Sequence, residues 1–128
     1  TPVPWPEDIA AIYGEAELRS VLAELLTDHD FLLDCAEFPC LAAIEDREGR
    51  PIDFAALQRR LPSDTEFIRL STAGPGLDGP RHTIFLAPLP TNKVDPDLRE
   101  RVDGRMNAWE RDREREAYEA MGRPPGSW

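Results

Sequence analysis

Lysine is nearly missing from this sequence. Lys93 is the single lysine among 15 cationic residues, and these face 25 acidic ones, for a formal net charge of −10 over 128 residues. A surface of that sign repels phosphate and argues against a nucleic-acid partner. Long apolar runs are absent too; none reaches the ~18–20 residues of a membrane span. Histidine and cysteine are scarce, two of each. Cys35 and Cys40 have four residues between them, the wrong spacing for redox chemistry of the CxxC kind, and only His29 and His82 remain to complete a metal set. Gly74-Pro75-Gly76-Leu77-Asp78-Gly79 is rich in glycine, but its prolines remove amide donors and no helix follows it, so it makes a poor phosphate cradle. Glu45, Asp46 and Glu48 lack the D-x-D-x-D-G spacing of a calcium loop. We therefore expect no cofactor and no metal.

Catalytic groups are equally sparse. His29, between Asp28 and Asp30, has the neighbours of a general base but reads as a solvated helix exit. His82 reads as a surface residue, and Ser63, Ser71 and Ser127 have no activating neighbours in sequence. Asp34 and Glu37 flank the cysteines at a convex hairpin tip, where turn hydrogen bonds and solubility are the expected roles, not paired-carboxylate hydrolysis. The sequence assigns no catalytic residue. The bias toward arginine reads as the codon usage of a GC-rich genome.

What is present is a well-punctuated α+β pattern in a chain long enough to bury roughly two-thirds of its surface as one domain. Pro2, Pro4 and Pro6 around Trp5 predict an extended arm over residues 1–14, with Trp5 either plugging onto its own domain or marking a partner contact. From Glu15 to about Thr27, Leu18, Val21, Leu22, Leu25 and Leu26 recur at helical spacing. A hairpin of Phe31–Ala36 and Pro39–Asp46 follows. It places Phe31, Leu33 and Cys35 with Cys40, Ala42 and Ile44 on the core face, and leaves Leu32, Asp34, Leu41, Ala43 and Glu45 on a face about half covered. In that register Cys35 opposes Cys40 at a separation a disulfide accepts. The spacing favours a disulfide over two free thiols or metal ligation. Closing so short a loop contributes about 2 kcal/mol, and its main effect would be to pin the register.

Asp53 has the position of an N-cap, with Ile52 and Leu57 placed as a hydrophobic staple around a helix from Phe54 to Leu61. Thr65–Thr72 and His82–Pro88 read as paired strands, joined by a mobile loop over residues 73–81. A long helix opens at Asp95 or Pro96 and runs to about Met121. Leu98, Val102, Met106 and Trp109 form its apolar stripe, and the alternating charges of Glu110–Glu116 predict a second half too charged to be buried. The order is α-β-β-α-β-β plus a helix: an α+β sandwich over 15–90, of the permuted ferredoxin-like kind with a four-stranded antiparallel sheet, and a C-terminal helix and tail over 91–128.

Pro4-Trp5-Pro6-Glu7-Asp8 and Asp34-Cys35-Ala36-Glu37-Phe38-Pro39-Cys40 together resemble a group of uncharacterised, exported or membrane-anchored proteins of GC-rich Gram-negative bacteria, in which a W-P-E-D arm precedes a D-C-x-E-x-P-C hairpin. The resemblance spans roughly residues 4–45. It implies export and a paired Cys35 and Cys40, and carries no activity. The element order is also similar to periplasmic domains of the inner-membrane platform proteins of type II secretion and type IV pilus systems, a likeness of fold alone.

The expected function is that of a non-catalytic, extracytoplasmic protein–protein interaction domain, part of an envelope or secreted assembly. Its candidate contacts are a free sheet edge and the side chains Trp5, Trp109, Tyr118 and Met121, engaging a protein partner or a second copy. The alternatives are an acidic inhibitor or nucleic-acid mimic that binds a basic partner and, less favoured, a small cysteine or histidine enzyme. A disulfide places the domain in the periplasm or outside the cell. A first residue of Thr1 instead of Met leads us to expect a targeting or anchoring segment upstream.

Overall fold

A computed structural model describes residues 2–46, 52–76, 79–120 and 122. Its regular elements are α1 (Glu15–Leu25), β1 (Asp30–Asp34), β2 (Leu41–Asp46), α2 (Phe54–Arg60), β3 (Thr65–Gly76), β4 (Gly79–Pro90) and α3 (Pro96–Ala120), with short 3-10 turns at Ala11–Tyr13 and Thr91–Lys93. The four strands form one antiparallel sheet in the order β1-β2-β4-β3, so β1 and β3 are its edges.

Alternation along β2 and β4 divides the core in two. Ala42, Ile44 and Leu86 point to the face where α1 packs Leu18, Val21, Leu22 and Leu26 and α2 packs Leu57 and Leu61. Leu41, Ala43, Phe85, Ala87 and Leu89 point the other way, against Leu98, Val102 and Met106 of α3. The predicted hairpin register holds, with Phe31 opposite Ile44 and Leu33 opposite Ala42. The face expected to be half covered is uneven: Leu41 and Ala43 are fully buried, while Leu32 on the edge strand stays exposed.

Capping follows the sequence. The Asp53 carboxylate accepts the Ala56 amide at 3.0 Å to start α2, and Asp95 accepts the Leu98 amide at 2.8 Å to start α3. Two expectations fail. The first is the loop over residues 73–81: β3 and β4 instead pair as far as Gly76 opposite Gly79, so only residues 77 and 78 lie between paired positions. Pro75 faces Pro80, a step where neither residue has an amide to offer, so prolines that read as loop signals are accommodated within the ladder.

The second concerns α3, whose charged half is not free of the fold. Arg113, Ala117 and Tyr118 are buried on it, at 8%, 7% and 3% exposure. They continue the stripe of Leu98, Val102 and Met106 at helical spacing. Arg113 holds its place in the stripe by pairing with Glu45 of β2, so the charge that seemed to interrupt the stripe is neutralised across the layers.

Candidate functional site

The segment between β1 and β2 is fastened from three sides. A Cys35–Cys40 disulfide closes it, with Cα atoms 4.2 Å apart, and the Asp34 carboxylate accepts the Ala36 amide at 3.1 Å in a local turn. The arm lies along it: the Phe38 amide donates to the Val3 carbonyl at 3.1 Å, and the Trp5 indole donates to the Cys35 carbonyl at 3.3 Å. The Trp5 ring also meets Phe38 edge-on, with centroids 5.3 Å apart. Trp5 therefore plugs onto its own domain and packs against both cores.

α3 supplies the third fastening. Glu37, expected to be a solubility residue, is buried instead. Its carboxylate accepts both Nε and Nη2 of Arg101, at 3.0 and 2.7 Å, and the Val3 amide at 3.1 Å. Arg105 donates to the Pro39 carbonyl at 2.7 Å, and its Nε lies 3.8 Å from Glu37. The hydrogen bonds from Arg101, reinforced by the Val3 amide and the Arg105 charge, outweigh desolvation and hold the Glu37 carboxyl below the usual glutamate range. Burial pushes the Arg105 guanidinium down from its ordinary value, opposed chiefly by the charge of Glu37. One motif thus ties arm, hairpin and α3 together.

The other candidate residues are dispersed. Trp109 turns inward, its ring 5.6 Å from that of Phe85. The hydroxyl of buried Tyr118 donates to Glu114 at 3.1 Å. Met121 lies outside the described residues. The two histidines, distant in sequence, come to the same end of the sheet: His82 is opposite Asp46, and His29 precedes Asp30, which is opposite Glu45. Among the described residues no group of three or more His, Cys, Asp or Glu side chains is placed to hold a metal ion, and no helix is long and apolar enough to cross a membrane.

Among the described residues, a depression of about 640 Å³ runs along α3 over Asp97, Glu100, Arg101, Gly104, Arg105 and Ala108, but both of its arginines are already engaged by the hairpin. Another, about 360 Å³, is lined by Asp30, Phe31, Leu32, Ala43, Glu45 and Arg113. Leu32, at 55%, is the exposed large hydrophobic residue among the described residues. It sits on edge strand β1, whose outer side no described strand pairs. An apolar side chain beside an open backbone edge is the geometry that accepts an added strand. Sequence reasoning placed Leu32 on the half-covered face but had no means of knowing that α3 would leave it bare.

No family model matches this chain, and comparison with curated proteins and with solved structures finds no significant match. The site has to be read from its own geometry.

Proposed function

We propose that this chain is a non-catalytic protein–protein interaction domain that works outside the cytoplasm, as a component of an envelope or secreted assembly. The observation that carries the reading is the open edge of β1, with Leu32 exposed beside a groove. Native sheets normally blunt or cover such an edge. The Cys35–Cys40 disulfide supports an oxidising compartment, as does the resemblance of the arm and hairpin motifs to exported bacterial proteins. The strand order β1-β2-β4-β3, with α1 and α2 on one face, supports the permuted ferredoxin-like reading of the sandwich. In this reading Trp5 and Trp109 act by holding the arm and α3 in place, and the contact surface is the β1 edge.

The test is a photoreactive side chain at position 32 of the full chain, expressed in its native host, with position 59 on the exposed side of α2 as the control. A discrete adduct from position 32 and none from position 59 is expected, in the extracytoplasmic fraction. Absence of an adduct at position 32, or equal adducts at both, overturns the reading.

A further inference from the structure

We infer that the outer edge of β3 pairs antiparallel with the same edge of a second copy of this chain, joining the two sheets into one. The pairing does not depend on the β1 contact proposed above, and it leaves β1 free at both ends of the joined sheet.

In an antiparallel ladder, opposed residues alternate between pairs that exchange both backbone hydrogen bonds and pairs that exchange none. Proline has no amide, so it fits the second kind. The prolines of the β3–β4 hairpin all fall in one alternate set: Thr65 faces Pro90, Phe67 faces Pro88 and Pro75 faces Pro80. The Thr91 amide donates to the Asp64 carbonyl at 2.8 Å, which puts the even-numbered residues of β3 in the bonded set. Phe67, Arg69, Ser71 and Ala73 therefore turn their amides and carbonyls away from β4, to a side where no described strand lies. This open stretch is bounded at both ends. The Thr65 amide is taken by the Pro62 carbonyl at 3.0 Å, and Pro75 has no amide to give.

A stretch bounded in this way is symmetric about Leu70. A two-fold axis there sets Phe67 opposite Ala73 of the second copy and Arg69 opposite Ser71 of the second copy, so that all the outward groups of residues 67–73 are bonded. Residues of like parity meet, so side chains keep their faces and both copies of α3 lie on one side of the joined sheet.

Charge favours a second copy as the occupant. Chains of net charge −10 repel one another, but Thr65–Gly76 carries one glutamate and one arginine and has no net charge. Both already have partners within the chain. Glu66 pairs with Arg99 at 3.0 Å, and the Arg69 guanidinium lies over the Phe54 ring, 4.8 Å from its centroid. In the register centred on Leu70, Glu66 faces Gly74 and no like charges are opposed, whereas a centre one residue earlier would set Arg69 against itself.

The test is sedimentation of the full, disulfide-bonded chain from about 1 µM to about 1 mM, with amide hydrogen exchange read at both ends of that range. A dimer is expected. Exchange at Phe67, Arg69, Ser71 and Ala73 should slow on association, while the amides of Leu70 and Thr72, bonded to β4, are protected throughout. Ser71→Arg sets an arginine against Arg69 at two places and should weaken the dimer about tenfold, whereas Ser71→Glu should tighten it about threefold. Ser71 is exposed, so both variants should keep the thermal midpoint of the dilute wild-type chain. A chain that stays monomeric at the upper concentration, a dimer indifferent to both substitutions, or slowed exchange confined to residues outside β3 each overturns the inference. A position-32 adduct without a dimer removes the β3 pairing and leaves the β1 reading standing; a dimer without the adduct does the reverse.

Discussion

On one face of the sheet, α1 and α2 close the core with Leu18, Val21, Leu22, Leu57 and Leu61 against Cys40, Ala42, Ile44 and Leu86. On the other, α3 brings Leu98, Val102 and Met106 to the sheet but secures both of its ends with charge, through Arg101 and Arg105 on Glu37 and through Arg113 on Glu45. The first kind of attachment scales with apolar area removed from water and tolerates small shifts. The second depends on distance and on every buried polar group finding its partner. The α1–α2 face should therefore respond to side-chain volume and the α3 face to protonation and pairing.

The largest effect expected is on the apolar face. Leu22→Ala, at a residue 1% exposed, should lower unfolding stability by about 3 kcal/mol, equally at pH 7 and pH 4, read from urea midpoints at constant slope. A loss that depended on pH would break the contrast between the faces.

Next comes Glu37→Gln, expected to cost about 2 kcal/mol at neutral pH by leaving Arg105 without its carboxylate. The folded-state carboxyl titrates below its unfolded value, so its stabilisation is complete above the usual glutamate range and disappears as pH falls through the lower, folded value. The gap between wild type and variant should therefore close in acid. A gap that persists at pH 2 would show the clamp to be held by packing.

A double-mutant cycle at Glu45 and Arg113 should give a coupling of about 1 kcal/mol, with Glu45→Leu combined with Arg113→Met close to wild type in stability, as replacement of a buried ion pair by apolar side chains often is. A coupling of zero would mean that α3 stays in place without this pair.

The smallest effect is a gain. Gly104 is exposed within α3, and a Cβ there would meet nothing within 4 Å, so Gly104→Ala should raise stability by about 0.7 kcal/mol through helix propensity alone. No gain would indicate that tertiary pairing, not the helix's own backbone, limits α3.

How legible each part was in the sequence follows the same division. The α1 stripe and the β1–β2 register could be read directly, because apolar residues at periods of 3.6 and 2 report which side faces the core. The N-cap at Asp53 was equally local, needing only a carboxylate three residues before the amide it accepts. The β3–β4 hairpin was misread because Gly74, Pro75, Gly76, Gly79 and Pro80 carry turn chemistry, and only the pairing of Pro75 with Pro80 lets the ladder run on. The charged half of α3 was misread because Arg113 looks like solvent-facing charge until Glu45 is set against it. Glu37 was undervalued for the same reason: its partner Arg101 is 64 residues away.

By itself the sequence determined the element order, the two-faced alternation of β2 and β4, the juxtaposition of Cys35 with Cys40, and an acidity that disfavours nucleic acid. All of these are local or summed properties, carried by spacing and composition. Only the tertiary structure decided which charges meet, how far β3 and β4 extend, and that α3 crosses the sheet so as to leave Leu32 uncovered at an open edge. Contacts between distant residues depend on where whole elements come to rest, and hydrophobic periodicity sets which side of an element is buried without specifying which residue of another element lies across from it.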